Sequence, residues 1–271
     1  MKRIEQKFSE LKAKKQCAFV SYICAGDPDY KTSLELLKAL PKAGVDIIEL
    51  GVPFLDPSGD GPTIENAAKR SIANGMSLEK TLEMAVEFRK DDKKTPLVLM
   101  TYYNPVFKYG LDKIFVNAAK SGIDGFLIVD LPQEEEVEIL PKILGSNLDL
   151  IRLIAPMTDS TRAKKITKNS GGFLYLVSML GITGTKSASI SDNKNNLQNL
   201  RKVSDLPIVI GFGIQTPNQA QEFSRIDVDG VVVGSTIVKE IDKNFSAEKS
   251  SAEIVKNVIA QVAEFSRKIK N

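Results

Sequence analysis

The sequence predicts a (β/α)8 TIM barrel with an extra N-terminal helix and a short phosphate-site helix after strand 8, formed as a single domain over residues 1–271. Three observations carry this expectation. Eight short apolar runs rich in β-branched residues recur along the chain, and helical patterns fill the intervals between them. The length of 271 residues slightly exceeds the roughly 250 that eight strand–helix units need. No linker or shift of composition divides the chain.

Taken in order, the elements begin with a helix over Ile4 to Lys14, ahead of the first run, Ala18 to Ile23. Apolar residues return at three- and four-residue steps over Ser33 to Leu40, which predicts the helix before strand two, Val45 to Leu50. The same period over Leu78 to Phe88 precedes strand three, Leu97 to Thr101, and over Ile114 to Ala119 it precedes strand four, Gly125 to Val129. Strands five to eight are expected at Leu150 to Ile154, Phe173 to Val177, Ile208 to Ile210 and Gly230 to Val233, with a helix at Gln219 to Phe223 between the last two. The acidic run Glu134 to Glu136 follows Leu131-Pro132 and reads as a helix start, where negative charge suits the helix dipole. A short helix is expected over Thr236 to Ile241. Ser250 and Glu253 then have capping-box spacing at the head of a terminal amphipathic helix.

Composition narrows the chemistry. With 42% hydrophobic and 26% charged residues the chain is ordinary globular material, and its net charge of +3 is spread rather than massed with aromatics, against a nucleic-acid partner. Cys17 and Cys24 form no CxxC pair and there is no histidine, which excludes a Cys/His zinc site and argues against a disulfide framework. The N-terminus Met1-Lys2-Arg3-Ile4-Glu5 carries an early acid and no apolar core, so neither signal nor transit peptide is expected. No apolar run approaches membrane-spanning length, and a soluble intracellular protein is the expectation. Without histidine, acid–base work at neutral pH falls to carboxylates, tyrosines, lysines or cysteines.

In a barrel of this kind the C-terminal ends of the strands and the loops after them build the site. Glu49 closes the second run, and Asp60 lies in the Pro- and Gly-shaped loop after it, which can fold back toward Glu49. Two carboxylates in one pocket can have their pKa values pushed apart by their surroundings, leaving one a proton donor and the other ionised. Gly211-Phe212-Gly213 after strand seven and Gly234-Ser235 after strand eight let backbone N–H groups approach a phosphate at a helix N-terminus, although each alone also reads as turn glycine. Neither a dinucleotide fingerprint nor a P-loop has its glycines at the required spacing. No run contains a lysine, against a Schiff-base aldolase. Glu49, Asp60 and Asp130 together leave a Mg²⁺ site open as an alternative, although apolar or stiff neighbours of Asp60 speak against it. Tyr22, Met100, Leu127, Leu153, Tyr175 and Phe212 stand near strand tops as core or as an apolar pocket floor. The glycine-rich stretch Leu180 to Asn193 suits a hinged lid.

One resemblance draws these residues together. Glu49-Leu-Gly-Val-Pro-Phe-Leu-Asp56-Pro-Ser-Gly-Asp60-Gly-Pro-Thr-Ile resembles the signature of the tryptophan synthase alpha subunit. Ala25-Gly-Asp-Pro28, Tyr103-Asn-Pro-Val-Phe107, Val129-Asp-Leu-Pro132, Gly181-Ile-Thr-Gly184, Gly211-Phe-Gly-Ile214 and Gly234-Ser-Thr-Ile-Val-Lys239 are similar to the family's segments in the same order. The resemblance implies retro-aldol cleavage of indole-3-glycerol phosphate to indole and glyceraldehyde 3-phosphate without a cofactor. Glu49 would move the protons, and Asp60 would meet the indole N–H. Gly184, Gly213, Gly234 and Ser235 would hold the phosphate, Tyr175, Leu127, Phe212 and Thr183 would surround the indole and lid, and Tyr22 and Met100 would complete the pocket. It also implies a beta subunit carrying pyridoxal phosphate, an α2β2 heterotetramer, and a docking surface at Pro53, Asp56, Asn104, Pro105, Phe107 and Pro132. No metal is implied.

The chain departs from the family pattern at Leu55, where serine is frequent, at Ser58-Gly59, where Leu-Ala is expected, and at the less polar lid start Met179-Leu180. Its lysine-, asparagine- and isoleucine-rich composition hints at an AT-rich genome, that of a plastid or a low-GC bacterium. Another phosphosugar isomerase or aldolase on the same barrel, or a subunit that only activates its partner, remain the alternatives.

Overall fold

Short buried strands joined through helices cannot pair as hairpins, so successive strands lie parallel and the sheet closes on itself. In the computed structural model, which describes residues 1–156, 158–177, 190–211 and 213–271, that closure is complete. The strands are β1 (Ala18–Cys24), β2 (Ile47–Gly51), β3 (Leu97–Thr101), β4 (Gly125–Ile128), β5 (Asp149–Ile154), β6 (Leu174–Val177), β7 (Ile208–Gly211) and β8 (Gly230–Val233). Each pairs with the next, and β8 returns to β1 with Ala18 opposite Gly230.

Helix α1 (Arg3–Ala13) precedes β1. Then α2 (Tyr30–Ala39) follows β1, and α3 (Pro62–Ala73) and α4 (Leu78–Asp91) follow β2. After β3 come α5 (Tyr103–Tyr109) and α6 (Leu111–Lys120), after β4 comes α7 (Leu140–Gly145), and after β5 comes α8 (Ser160–Lys168). The chain ends with α9 (Ile190–Arg201) before β7, α10 (Pro217–Ser224) before β8, and α11 (Ser235–Ser246) and α12 (Ser251–Lys270) behind it. No described helix is long and apolar enough to cross a membrane.

Several expected boundaries move. Val45 and Asp46 lie outside β2, because the 3₁₀ turn Pro41–Ala43 and Gly44, at φ 95°, bring the chain into the strand two residues later. The helix expected over Thr236 to Ile241 runs instead from Ser235 to Ser246. Asn104, Pro105 and Phe107, expected in a loop, sit on α5. Residues 190–193, expected at the end of a lid, open α9. The acidic run makes a single 3₁₀ turn, Gln133–Glu135, and its last member is not a solvated dipole partner: Glu136 is buried, ion-paired with Arg152 of β5, and accepts Asn169 Nδ2–H at 2.8 Å. The capping box at Ser250 and Glu253 forms as expected.

Side chains alternate across each strand and so build two cores. Outward-facing residues such as Ile48, Leu50, Leu97 and Leu99 pack against the helices. Inward-facing Val20, Ile47, Val98, Leu127, Ile151, Tyr175, Val209 and Val232 fill the barrel, joined at its N-terminal mouth by Ile4, Phe8 and Leu11 of α1. Phe8 meets Phe173 with ring centroids 5.9 Å apart. Helix α1 thus stoppers one end of the barrel.

Carboxylates finish that stoppered end. Asp46 accepts the Phe19 N–H at 2.9 Å and pairs with Lys270; Asp229 accepts the Ile208 N–H at 2.7 Å and pairs with Arg201. Asp124 accepts the Leu97 N–H at 2.8 Å and lies between Arg3 at 2.7 Å and Arg89 at 2.8 Å. Each satisfies a strand-initial N–H that the staggered sheet leaves over. Asp124→Ala should therefore lower the unfolding free energy by about 3 kcal/mol, since it leaves an amide unpaired and takes the carboxylate from the half-buried Arg89 guanidinium, which keeps only its carbonyl partners. A drop in the urea midpoint at unchanged slope is the expected reading.

Candidate active site

Glu49 shares the inward face of β2 with Ile47, one pleat nearer the open end, and its register neighbours are Tyr22 of β1 and Val98 of β3. The strand therefore aims an acid at a position where its neighbours are apolar or aromatic. Its residue exposure is 1%, and among the described residues its Oε1 has no hydrogen-bond partner. Burial without compensation disfavours the charged form and pushes the carboxyl up to about 8.

Asp60 approaches from the loop after β2, just before Pro62 opens α3. The Tyr102 hydroxyl donates to its carboxylate and accepts the Gly59 N–H at 3.1 Å, while the Tyr102 ring packs on Phe54 with centroids 5.4 Å apart. Burial raises Asp60 to about 6, against the lowering effect of the Tyr102 hydrogen bond; nearby Glu65 adds a smaller push upward. The surroundings thus separate the two carboxyls, as the sequence suggested. At neutral pH Glu49 holds its proton and Asp60 is mostly ionised.

Both acids line one cleft at the C-terminal mouth, together with Tyr22, Ile64, Met100, Tyr175, Gly213, Ile214, Val232, Gly234 and Ser235. Two glycines make room for its tyrosines. A Cβ at Gly51 would stand 2.3 Å from the Tyr22 hydroxyl, and one at Gly211 would stand 2.2 Å from that of Tyr175. Burial holds both phenols well above their ordinary value, Tyr175 with a further push from Glu49, so they stay neutral. Beside these tyrosines Gly213 takes φ 77°, a left-handed conformation that suits glycine, and Gly234 is the N-cap of α11 with no side chain capping the first turn. The open N–H groups and the dipole of a 12-residue helix face the cleft beside Ser235.

Of the residues singled out in the sequence, Glu49, Asp60, Tyr22, Met100, Tyr175, Gly213, Gly234 and Ser235 meet here. Leu127 does not: it is wholly buried among the side chains that fill the barrel. Thr183, Gly184 and Phe212 lie outside the described residues, as does most of the expected lid. Asp130 accepts the Tyr103 N–H at 2.6 Å and caps α5 rather than joining Glu49 and Asp60 in a cation site. Ile64, Ile214 and Val232 were missed. Ile64 and Ile214 each close a quoted motif, and alternation in β8 would have found Val232. On the surface, Asp56, Asn104, Phe107 and Pro132 are exposed, Pro105 is half-buried, and Pro53 is buried and presents no surface.

A (β/α)8 barrel whose open mouth joins two separated carboxyls to an uncapped helix N-terminus is an acid–base enzyme for a small anionic substrate. A family model described as tryptophan synthase alpha chain matches residues 8–270. The tryptophan synthase alpha chain of Gluconacetobacter diazotrophicus is 44% identical over 100% of this chain and 99% of its own length. Among solved structures, tryptophan synthase subunit alpha from Legionella pneumophila superposes with a TM-score of 0.91 at 33% identity, covering 99% of this chain and 98% of that one. A chain of Mycobacterium tuberculosis tryptophan synthase gives 0.89 at 30% identity, covering 100% and 99%. The chain belongs to the tryptophan synthase alpha chain family.

The raised Glu49 carboxyl has a consequence for stability. Its folded value of about 8 lies above the ordinary glutamate value of 4.5, so between those limits only the folded state keeps the proton. The stability this gives is complete below pH 4.5 and is lost as pH rises toward about 8, by up to about 1.4 kcal/mol per pH unit. Glu49→Gln removes the titration. The variant should gain on the parent steadily across that window in urea unfolding, and parallel pH profiles for the two proteins would contradict the assignment.

Proposed function

We propose that Glu49 and Asp60 carry out the alpha-chain reaction of this lyase family, the retro-aldol cleavage of indole-3-glycerol phosphate to indole and glyceraldehyde 3-phosphate. The observation that carries the proposal is the uncompensated burial of Glu49, which keeps a carboxylic acid protonated at neutral pH beside an ionised aspartate. Glu49 gives its proton to the ring carbon that bears the glycerol chain. The resulting Glu49 carboxylate then takes the proton of the adjacent hydroxyl. As the carbon–carbon bond breaks, its electron pair returns to the ring, the hydroxyl carbon becomes the aldehyde, and Glu49 is again protonated. Asp60 accepts from the indole N–H, whose positive character grows once the ring carbon is protonated. Neutral Tyr22 and Tyr175, with Met100, Ile64, Ile214 and Val232, offer the indole an apolar wall. Gly213, Gly234, Ser235 and the head of α11 offer donors for the phosphate.

The alpha chain family needs no cofactor of its own and works with a beta subunit. In our reading pyridoxal phosphate belongs to that partner, which joins the indole to serine in an α2β2 assembly. Exposed Asp56, Asn104, Phe107 and Pro132, with Leu55, form the docking surface; Pro53 only supports it from beneath. The apolar members suit the centre of an interface.

Indole release by the purified chain, alone and with a beta subunit, is the test. Cleavage should be slow alone and faster with the partner. The value of kcat/KM should rise with ionisation of Asp60 at about pH 6 and fall with loss of the Glu49 proton at about pH 8. Glu49→Gln should lower kcat by about 10²- to 10⁴-fold with little change in KM. Near-normal turnover in that variant would refute the proton role.

A further inference from the structure

We propose that Tyr102 is a positioning residue: its hydroxyl fixes where the Asp60 carboxylate stands in the cleft, and its ring ties that carboxylate to the loop surface on which the beta subunit docks. The proposal rests on the reading of Asp60 as the group that meets the indole N–H. Tyr102 is 4% exposed and follows β3 directly, on a different strand from the loop it holds. It grips that loop at three points: the Gly59 N–H at 3.1 Å, the Asp60 carboxylate, and the Phe54 ring at 5.4 Å. Between Phe54 and Gly59 the loop turns outward and exposes Leu55, at 60%, and Asp56. The residue after Tyr102 opens α5, which exposes Asn104 and Phe107. One side chain therefore joins the bases of both exposed segments to the acid between them.

The hydroxyl can play both parts because a phenol both donates and accepts. Its own titration lies far out of range: burial and the Asp60 charge push it well above the ordinary phenol value, so the proton stays on Tyr102 and points to the carboxylate. The other titratable groups acting on Asp60 or facing the same cleft are Glu65 from α3, Tyr22 and Cys24 from β1, Tyr175 from β6, and Glu49 across the cleft. Glu65 and Glu49 are acids, and the other three are neutral groups held above their ordinary values by burial. Tyr102 is thus the group among these that favours the charged form of Asp60. Gly59 is part of the same device. A Cβ there would crowd Val129 Cγ1 at 3.1 Å, a contact relieved by a shift of a few tenths of an ångström, and would sit at ordinary contact distance, 3.5 Å, from the Tyr102 hydroxyl.

Two variants test the contact from its two sides, assayed as full chains with and without the beta subunit. Tyr102→Phe keeps the ring on Phe54 and removes the hydroxyl; Gly59→Ala keeps the hydroxyl and crowds the loop against Val129. In Tyr102→Phe, kcat for indole release should fall about 10- to 100-fold while KM changes less than about threefold, and Gly59→Ala should follow in the same direction with a smaller effect. The acid limb of kcat/KM should move upward from about pH 6 in Tyr102→Phe, because Asp60 loses a bond that favours its charged form. The fold acceleration by the beta subunit should shrink. Unchanged kcat with an unmoved acid limb overturns the proposal, and so does a rise in KM alone, which would make Tyr102 no more than a wall of the pocket. Asp60→Asn separates the two readings. If it retains turnover, the role of Asp60 fails; if it is inactive while Tyr102→Phe and Gly59→Ala are normal, only the positioning role fails.

Discussion

Among the described residues the Glu49 Oε1 finds no hydrogen-bond partner, and the site depends on that constraint. An ionised group buried there gives up hydration without a partner at Oε1, a cost of several kcal/mol, so at neutral pH the fold holds the neutral acid. The opposite mouth shows what the same barrel does with acids that serve structure. Asp46, Asp124 and Asp229 each accept a strand N–H and each face a cation. Asp27, at the top of β1, is equally buried yet is held by Arg70 at 2.8 Å. Glu49 stands apart among the buried described acids in receiving neither, which points to chemistry rather than to architecture.

The two mouths depend on each other. Helix α1 fills one end with Ile4, Phe8 and Leu11, and the described cleft opens at the other. Glu49 sits a pleat above Ile47, at the boundary between that filled core and the cleft. Higher in the barrel, the carboxyl would be hydrated and would titrate as an ordinary glutamate; lower, it would be out of reach of a substrate. The glycines opposite the tyrosines serve the same boundary, since Gly51 and Gly211 let Tyr22 and Tyr175 lie across neighbouring strands and cover the acid with apolar ring surface.

Much of this was legible in the sequence because strands announce themselves by composition and a barrel puts function at their C-terminal ends. Glu49, Tyr22, Met100, Tyr175, Gly213, Gly234 and Ser235 could be named from position alone. Period-two alternation gives the face of a residue but not its depth, which is why Leu127 was expected at the cleft although it is packed within the barrel. A loop position does not guarantee exposure, as buried Pro53 shows. Tyr102 directly follows strand three but shows no role in the sequence, because its three partners come from a loop whose path follows from tertiary contacts rather than from local propensity. Glu136 was misread for the same reason: Arg152, which makes it a buried ion pair, is distant in sequence.

Loops usually trade precision for reach, yet the loop carrying Asp60 must set a carboxylate accurately while offering a surface to a partner. It reconciles the two by being held at its ends and free in its middle. Pro53 is buried at one end, Gly59 and Asp60 are tied to Tyr102 at the other, and Leu55 and Asp56 project between them. Asp130 extends the arrangement by bonding the Tyr103 N–H, which links the end of β4 to the start of α5 and to Tyr102 beside it. A force applied to the exposed stretch therefore has few ways to be absorbed before it reaches Asp60. The carboxylate that needs ordering and the surface that a partner would press share one short segment of chain, so no long path through the barrel is required to connect them.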